Sequence, residues 1–485
     1  MRFYGREDEI QYLKDYVGTP KSELMYVRGW RRVGKSLLLQ QFKTKVPNCF
    51  YFSGTIDSSD EKLREDFVES WNQFIQDFSL SELKKSVLTW DRVFKEITKR
   101  ASSEKNPLIL IFDEIQWIAK TGSGFIGKIK EAWLEWEQSR RIKVILCGSS
   151  SKFFDTHVGG EEKALRGLST CAALWVKPFR LSEVQKYYLQ DWSLEEIGLT
   201  YMMLGGIPYY LERLDPDLGF VHAINEAIFT SKSIFLDEMD EILTLEFNSG
   251  GKKNVHEILS VLGQGGKTQK LIVEQAGLGQ STVSGLLEKL IQYQILFEKY
   301  PAHASSQKHQ AGIRYYMKDF FMNFYFQILH PLRNKIKKNT SALLFPCETF
   351  RSRKGFYIEN FSGKAFELLV AFLLESRSLK ENIFKKLLLK DPDYSIGTYW
   401  DETTQIDLIV EHPQDRLSRV LECKWVTGTR PALSWIEEVN RKKYDPSLPL
   451  KRKNYLIVSQ KVKPSYVEKS KKAGVSVIEL ADLFE

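Results

Sequence analysis

The fold of the N-terminal half is decided by the stretch Arg28-Gly29-Trp30-Arg31-Arg32-Val33-Gly34-Lys35-Ser36. The apolar run Leu24-Met25-Tyr26-Val27 precedes it, and the helix-like run Leu37-Leu38-Leu39-Gln40-Gln41-Phe42 follows it. A strand, a GxxxxGKS loop and a helix in this order predict a phosphate-binding loop. Gly29 and Gly34 permit the tight backbone that points N–H groups at phosphate oxygens, and the helix N-terminus adds partial positive charge.

Two side chains of this loop carry chemistry. Lys35 would reach the terminal phosphates of a nucleoside triphosphate, and the hydroxyl of Ser36 would bind the Mg²⁺ that neutralises charge developing during transfer. Arg32 and Val33 belong to the same loop and are assigned to the nucleotide site with it. ATP with Mg²⁺ is therefore the predicted ligand.

A second stretch provides the acidic half of the site, Leu108-Ile109-Leu110-Ile111-Phe112-Asp113-Glu114. A continuous apolar run that ends in acids is expected of a parallel strand buried on both faces, and ligands gather at the C-terminal edge of such sheets. Asp113 would hold the Mg²⁺ through water, and Glu114 would polarise the attacking water. Hydrolysis of ATP, beyond binding, is thereby predicted.

Two more strands complete the expected sheet. The first begins at Val144 and ends in Cys147-Gly148-Ser149-Ser150, from which Ser149 could reach the γ-phosphate or the catalytic water. The second, at 172–176, leads into a helical region that we interpret as a lid.

These motifs resemble those of the archaeal-type AAA+ ATPases related to signal-transducing STAND NTPases, many of which carry a C-terminal domain of unknown function. The matching stretches are Tyr4-Gly5-Arg6-Glu7, Arg31-Arg32-Val33-Gly34-Lys35-Ser36, Phe112-Asp113-Glu114, Cys147-Gly148-Ser149-Ser150 and Gly205-Gly206-Ile207-Pro208-Tyr209-Tyr210. The resemblance implies that Tyr4-Gly5-Arg6 and the segment from Gly206 to Pro208 lie near the adenine, and that nucleotide state moves the lid. It is compatible with a homo-oligomer but does not establish one. Family members often carry a Gly-Arg pair after the sensor strand. Here the order is inverted at Arg166-Gly167, so no arginine finger is assigned.

The middle of the chain, 254–300, has a different predicted order of elements from the regions before it. Its predicted elements are three helices and a strand, at 254–262, 268–276, 280–293 and 295–298. This order predicts a winged helix, in which the short polar side chains of Gln280-Ser281-Thr282-Val283-Ser284 would enter a DNA major groove, with charge added by Lys289 and Lys299. The alternative is a protein-interaction arm or spacer, since the helix is not strongly basic. DNA contact is the favoured interpretation.

An aromatic segment, 314–326, and a basic segment, 331–339, follow. Aromatic side chains at helical spacing favour core packing over base stacking. The basic segment is interpreted as a solvated connection, with phosphate contact as the alternative, and it places a domain boundary near residue 345.

The last domain begins with a predicted helix at 356–375. Strands are predicted at 406–410, 419–424, 455–459 and 475–480. Asp407 begins the first of these strands, and Glu422 and Lys424 share one face of the next because they are two residues apart. Two carboxylates can hold Mg²⁺ or Mn²⁺ and an amine can activate water, which is the chemistry of phosphodiester cleavage.

Asp407 together with the run Glu422-Cys423-Lys424 resembles the PD-(D/E)xK nuclease superfamily, with Ile406 at the usual proline. The resemblance implies that Asp407 and Glu422 are metal ligands and that Lys424 is the catalytic amine. It also implies that Glu367, on the preceding helix, is an auxiliary acid at the metal. The alternative is a half-exposed strand whose charges serve solubility.

Composition bounds the remaining possibilities. The 485 residues exceed what one core fills, and the net charge of +8 suits nucleic acid. Five scattered cysteines without CxxC spacing argue against a disulfide framework or a zinc site. The apolar stretch from Phe366 to Leu374 is far shorter than the about 20 residues that a bilayer requires, and the N-terminus lacks a signal-like apolar region. We therefore expect no membrane association and a cytoplasmic location.

The predicted fold class is α/β with four domains. They are a P-loop core with an AAA+ type parallel sheet at 1–180, a helical lid at 181–245, a winged-helix and aromatic connecting region at 246–345, and a restriction-endonuclease-like α/β domain at 346–485.

The predicted function is an ATP-driven switch whose nucleotide state controls nucleic-acid binding and cleavage, with DNA favoured, which fits defence against foreign DNA. The alternative is a non-cleaving, STAND-like regulatory NTPase that acts through protein partners. ATP-induced oligomers without DNA affinity would favour this alternative. A protein-remodelling ATPase ranks last because no pore-loop pattern is found.

Overall fold

The computed structural model of the protein describes most of the chain. The described residues are 3–20, 24–75, 89–103, 106–119, 124–149, 154, 173–247, 249–300, 312–338, 356–375, 381–391, 393–400, 405–414, 417–426, 432–442 and 451–484. Two compact units are present, Met1–Pro178 with Ile207–Tyr209, and Phe179–Gly206 with Tyr210–Glu485. Each unit contains a five-stranded sheet.

The first unit is built on a parallel sheet. Its strands are β1 Leu24–Gly29, β2 Cys49–Ser53, β3 Leu108–Asp113, β4 Ile142–Gly148 and β5 Leu174–Val176. Their order is β2-β3-β4-β1-β5, with every neighbouring pair parallel. Because β4 lies between β1 and β3, the ends of these three strands are neighbours at the C-terminal edge, where the predicted nucleotide residues follow them.

Helices cover the sheet of the first unit. They are Glu7–Gly18, Lys35–Lys43, Asp60–Ile75, Trp90–Ser103, Ile115–Ala119 and Phe125–Ser139. All residues of β3 and β4 are buried, which confirms that 108–113 is a strand covered on both faces. Aromatic rings form much of this core, as in the edge-to-face pair of Trp90 and Phe125, whose centroids lie 4.9 Å apart. This packing fixes the position of β3 and of the acids at its end.

The second unit begins with the predicted helical region. The helices before the first hairpin are Leu181–Tyr187, Leu194–Leu204, Pro208–Leu211, Phe220–Ile228, Phe235–Glu246, Ser249–Leu262, Gln269–Ala276 and Gln280–Gln292. The helix Leu194–Leu204 is buried along its whole length from Ile197 onward. A Cβ atom at its Gly198 would lie 3.1 Å from Leu480 and 3.7 Å from Trp425. This part of the predicted lid therefore packs directly on the C-terminal α/β domain.

A hairpin of β6 Leu296–Lys299 and β7 Arg314–Met317 follows, and its strands are antiparallel. The aromatic segment continues as helix Phe320–Phe324 and a π-helical turn at Tyr325–Leu329. The side chains of both elements are buried except for Asn323 and Gln327, which confirms the core-packing interpretation.

The described part of the basic segment 331–339 is largely exposed, as a solvated segment should be, but it is helical. Residues His330–Lys337 form a helix, in which Arg333 Nη1 lies 2.9 Å from Asp240 Oδ2 and Lys337 Nζ lies 2.8 Å from Asp237 Oδ1. The basic side chains thus pair with acids on the helix Phe235–Glu246. The expected boundary near residue 345 lies outside the described residues.

The C-terminal sheet is mixed. Its strands are β8 Ser395–Trp400, β9 Gln405–Glu411, β10 Leu417–Lys424, β11 Lys451–Val458 and β12 Val475–Glu479, in the order β12-β11-β10-β9-β8. The pairs β8/β9 and β9/β10 are antiparallel, and β10/β11 and β11/β12 are parallel. The accompanying helices are Phe356–Glu375, Glu381–Lys386, Ser434–Arg441, Pro464–Lys472 and Leu480–Phe484. All four predicted strands are present. The edge strand β8 was not predicted because it is half-exposed and lacks a continuous apolar run.

Among the described helices, none is both long enough and apolar enough to cross a lipid bilayer. Cys49, Cys147 and Cys423 are free, buried thiols. Burial raises the pKa of Cys49 to about 12, so this thiol stays protonated at neutral pH. Cys171 and Cys347 lie outside the described residues.

Asp319 gives a pH-dependent test of the fold of the second unit. Its side chain accepts a hydrogen bond of 2.7 Å from the Met322 N–H as the N-cap of helix Phe320–Phe324, and burial raises its pKa to about 6. Because the folded-state pKa is raised above the unfolded value, the ionised carboxylate costs stability increasingly as pH rises from about 4 to 6. Asp319→Asn keeps the cap without the charge. We expect it to gain stability relative to the wild type between pH 5 and 7.5 by about 1 kcal/mol, measured by thermal unfolding.

The control for this test is Asp215→Asn, at an exposed cap that accepts from the Asp217 N–H. An equal gain in both variants would show that burial of Asp319 is not the cause.

Candidate functional sites

The phosphate-binding loop is formed as the sequence predicts. The helix that follows β1 begins at Lys35, directly after Gly34 with φ 92°, and Ser36 lies half-buried in its first turn. A Cβ atom at Gly29 would lie 2.4 Å from the carbonyl oxygen of Val176, so no larger residue fits there. Local backbone requirements thus explain both glycines of the motif.

Lys35 lies inside this loop. Its Nζ donates to the carbonyl oxygens of Gly29 and Trp30, at 3.0 and 2.9 Å. Burial lowers the pKa of Lys35, while the charges of Glu114 and Asp113 oppose that shift. The ammonium is held by carbonyl oxygens that phosphate oxygens could replace, which fits the predicted role.

Asp113 and Glu114 stand at the end of β3, as predicted. Asp113 Oδ2 accepts a hydrogen bond of 2.6 Å from the hydroxyl of Tyr51 on β2, and Asp113 Oδ1 accepts one of 2.9 Å from the Glu114 N–H. Glu114 has a left-handed backbone with φ 49°, unusual for a residue with a side chain. Gln116 Nε2 donates to Glu114 Oε2. Tyr51 and Gln116 were missed by the sequence reasoning, because only strand pairing and helix placement bring them to the acids.

Ser149 directly follows β4. It lines a small cavity of about 30 Å³ together with Arg28, Gly29, Trp30, Gly148, Phe154 and Trp175. The structure thus places Ser149 beside the start of the phosphate-binding loop. A Cβ atom at the preceding Gly148 would lie 2.6 Å from Gln116 Oε1. Gln116, which donates to Glu114, therefore also lies next to the end of β4. Arg166 lies outside the described residues.

The segments implied by the AAA+ resemblance gather around the same loop. Gly5 and Arg6 have left-handed backbones, and Arg6 Nη2 donates to the carbonyl oxygen of Val33 at 3.2 Å. Pro208 Cγ lies 3.9 Å from the position of a Cβ atom at Gly34. The guanidinium of Arg32 lies over the ring of Tyr209 at 4.3 Å. Tyr4 is half-buried beside Gly5 in the same N-terminal segment. Sequence-distant segments are thereby brought to the loop.

A second cluster lies at the C-terminal sheet. The pairing of Leu408 with Leu421 places Asp407 and Glu422 side by side at the end of the β9/β10 ladder. Asp407 Oδ2 accepts a hydrogen bond of 2.8 Å from the Cys423 N–H. Glu422 is fully buried, and its Oε2 lies 2.6 Å from Lys442 Nζ. Its Oε1 has no hydrogen-bond partner in the described parts of the chain.

Lys424 reaches the same cluster. Its Nζ lies 2.9 Å from Glu438 Oε1 and 4.0 Å from Glu422 Oε2. Burial lowers the pKa of Lys424, but the hydrogen bond to Glu438 and the charges of Glu438, Asp407 and Glu422 outweigh it and raise this pKa overall. The amine of Lys424 is therefore protonated at neutral pH. Glu438 and Lys442, four residues apart at the end of one helix, were missed because nothing local to their helix points to the sheet.

Glu367 completes the cluster from the helix Phe356–Glu375. Burial and then the charge of Asp407 raise the pKa of both Glu367 and Glu422 to about 8, and burial also raises that of Asp407. Within the described residues, no three His, Cys, Asp or Glu side chains are arranged to hold a metal ion. The residues present fit an ion held by Asp407 and the unpartnered Glu422 oxygen, with water as the other ligands, as Mg²⁺ prefers.

Comparisons with known proteins match two separate regions of the chain. Residues 3–214 match a family described as an ATPase domain predominantly from Archaea. Residues 325–441 match a family described as archaeal and bacterial proteins of unknown function, and this match includes Glu367, Asp407, Glu422 and Lys424.

Individual relatives cover one or both regions. The uncharacterized protein MJECL04 of Methanocaldococcus jannaschii is 24% identical over 464 residues, 95% of this chain and 96% of the relative. The uncharacterized ATP-binding protein MJ1076 of the same organism is 22% identical over 219 residues, 40% of this chain and 59% of the relative. A Walker-type ATPase of Pyrococcus abyssi has a similar fold, with a TM-score of 0.54, 20% identity, and coverage of 67% of this chain and 96% of that structure.

The phosphate-binding loop and the acidic end of β3 thus lie in a region, 3–214, that is similar to an ATPase domain found predominantly in Archaea, and a second region, 325–441, is similar to archaeal and bacterial proteins of unknown function.

Proposed function

We propose that the protein hydrolyses ATP with Mg²⁺ and uses its nucleotide state to control the binding and metal-dependent cleavage of nucleic acid, with DNA as the favoured substrate. The observation that supports cleavage is the cluster of the buried Glu422 with the half-buried Asp407 and Glu367, whose carboxyl groups all have raised pKa values, next to Lys424. A divalent cation bound here would stabilise the ionised form of these carboxyl groups.

In the ATPase site, each residue has a separate task. Backbone N–H groups of the loop and Lys35 would bind the phosphates, and Ser36 and Asp113 would hold the Mg²⁺ directly and through water. Mg²⁺ would supply charge neutralisation on the phosphates. Glu114, oriented by Gln116, would accept a proton from the attacking water, and Tyr51 orients Asp113. Ser149, Pro208 and the Tyr4-Gly5-Arg6 segment would contact the γ-phosphate and the base.

In the cleavage site, Asp407 and Glu422 would hold Mg²⁺ or Mn²⁺, with Glu367 as the auxiliary acid. The metal would supply a water of lowered pKa and charge for the phosphate. Lys424 would act as a cation that orients this water and stabilises the developing negative charge. It would not act as a base, because the acids around it keep its amine protonated.

DNA binding is supported by the order of elements from Ser249–Leu262 to β7, three helices and a hairpin, which is that of a winged helix. Gln280, Ser281 and Thr282 at the start of helix Gln280–Gln292 are exposed, as is Lys289. This surface could therefore enter a groove. Lys299 is different, because its side chain lies over the Tyr316 ring at 5.1 Å.

Coupling between the two activities is supported by chain connectivity. The short segment Ile207–Tyr209, which contains Pro208, belongs to the first unit. The residues before and after this segment belong to the second unit. The preceding helix Leu194–Leu204 packs on Trp425, directly after the strand that carries Lys424. A shift of Pro208 with nucleotide state would therefore act on an element that contacts the cleavage domain.

One observation favours the non-cleaving alternative. Lys442 Nζ, at 2.6 Å, already neutralises Glu422 in part. If that ion pair persists, the last domain is a scaffold, and the ATPase is a STAND-like switch that acts through protein partners or through homo-oligomers.

The test is a cleavage assay of the wild type on plasmid DNA and on short single- and double-stranded DNA, with Mg²⁺ or Mn²⁺, with and without ATP. Cleavage is expected only when the metal is present. ATP should change the cleavage rate of the wild type but not that of Lys35→Ala. Absence of cleavage under every condition, together with ATP-dependent assembly by light scattering, would instead establish the regulatory switch.

A further inference from the structure

The second unit contains another cavity, whose wall shares Glu367 with the carboxylate cluster. It has a volume of about 270 Å³ and lies between the Gly263–Lys267 segment, the β6/β7 hairpin and the helix Phe356–Glu375. Four cationic side chains line it, those of Lys267, Lys299, Arg314 and Lys364, together with one carboxylate, that of Glu367. Positive charge therefore dominates its wall.

The charges of Glu375, Glu367 and Asp407 act on Lys299, and that of Glu367 acts on Lys364, but not through direct ion pairs. Within the described parts of the chain, none of the four lies within ion-pair distance of a carboxylate. Lys364 Nζ donates to the carbonyl oxygen of Gln264 at 2.7 Å, and the guanidinium of Arg314 lies over the Trp400 ring at 4.4 Å. Burial lowers the pKa of Lys299 and of Lys364. The charges of Glu375, Glu367 and Asp407 oppose this shift at Lys299, whereas the charge of Lys267 adds to it at Lys364. A bound anion would stabilise the charged form of lysines whose pKa is lowered by burial.

The backbone and the rings of the wall suit a phosphate ligand too. The segment Gly263-Gln264-Gly265-Gly266-Lys267 exposes main chain to the cavity, and no described residue accepts a hydrogen bond from the Gly266 N–H. A Cβ atom at Gly266 would lie 2.1 Å from the Tyr316 ring, so the ring and this backbone are in close contact. Tyr316 stacks on Phe297 at 5.6 Å with an interplanar angle of 25°. Free N–H groups, cations and an aromatic face are the groups that bind nucleotides.

We propose that this cavity binds the phosphate group of a nucleotide or of a nucleic-acid strand, held beside the Tyr316 ring by the four cations that line it, Lys267, Lys299, Arg314 and Lys364. Glu367 lines the cavity and also belongs to the carboxylate cluster, so a strand bound here would lead toward Asp407 and Glu422. The role as a substrate-strand site rests on the proposed cleavage, whereas phosphate binding itself does not.

The experiment measures binding by full-length protein in EDTA, so that no cleavage can occur. All proteins carry Lys35→Ala, which removes phosphate binding at the N-terminal loop. The probes are inorganic phosphate, AMP and a fluorescein-labelled short single-stranded DNA, followed by calorimetry and fluorescence anisotropy. The variants are Lys299→Gln and the exposed Lys364→Gln, and the matched control is Lys471→Gln on the exposed face of helix Pro464–Lys472. Thermal unfolding checks that each variant is folded.

Loss of one charge-assisted contact is expected to weaken binding about ten-fold in Lys299→Gln and Lys364→Gln, and not in Lys471→Gln. If the two variants bind only DNA more weakly, the phosphate comes from a nucleic-acid strand. If they bind inorganic phosphate and AMP more weakly, the ligand is a small molecule. If no probe binds, or if both variants bind every probe like the control, the proposal is overturned. Cleavage is judged separately, by the wild type with metal, so either proposal can fail without the other.

Discussion

ATP hydrolysis is expected to fall by about 100-fold or more when Glu114 is replaced by glutamine, while ATP still binds. The carboxylate stands at the end of β3 beside the phosphate-binding loop, and Gln116 orients it. Glutamine keeps the shape and the hydrogen-bonding capacity of the side chain but cannot accept a proton from the attacking water. Steady-state phosphate release and the affinity for a fluorescent ATP analogue measure the two effects separately.

Lys35→Ala should differ from Glu114→Gln, because it removes a phosphate contact and weakens binding as well as hydrolysis. Glu135→Gln, at an exposed position on the helix Phe125–Ser139, is the matched control and should behave like the wild type. Hydrolysis that survives both Lys35→Ala and Glu114→Gln would show that the nucleotide site has been placed wrongly.

DNA cleavage is expected to fall by about 100-fold or more in Lys424→Ala and in Glu422→Gln. Lys424 supplies positive charge next to Glu422, and Glu422 supplies the buried, unpartnered oxygen for the metal. The first variant should retain metal binding and the second should lose most of it. Mn²⁺ titration followed by electron paramagnetic resonance distinguishes the two losses, and a supercoiled plasmid reports the cleavage rate.

Lys471→Ala, exposed and distant in sequence from the cluster, is the control for these variants. ATP hydrolysis should be retained in all of them, which shows that the protein is folded. Cleavage at the wild-type rate in Lys424→Ala would mean that a contaminating nuclease or another site is responsible.

The strands and loops of both sites follow from local sequence. The run 108–113 forms β3 with every residue buried, and the run 419–424 forms the end of β10, since continuous apolar stretches leave few alternatives to a covered strand. The boundaries of the helix 356–375 are also those predicted. By contrast, local sequence does not predict the ion pairs of the basic helix His330–Lys337, because its acidic partners Asp237 and Asp240 lie about 90 residues earlier in the chain.

The sequence by itself determined the phosphate-binding loop, the acidic end of β3 and the spacing of Glu422 and Lys424, because these depend on contiguous backbone and on strand periodicity. Only the tertiary structure decided which side chains surround them: Gln116 at Glu114, Lys442 at Glu422, Glu438 at Lys424, and Lys299 in the basic cavity. It also decided that the helix Leu194–Leu204 packs against Trp425. Such contacts depend on which helix faces meet after folding, and the local pattern of a helix specifies that it has a buried face but not which partner covers it.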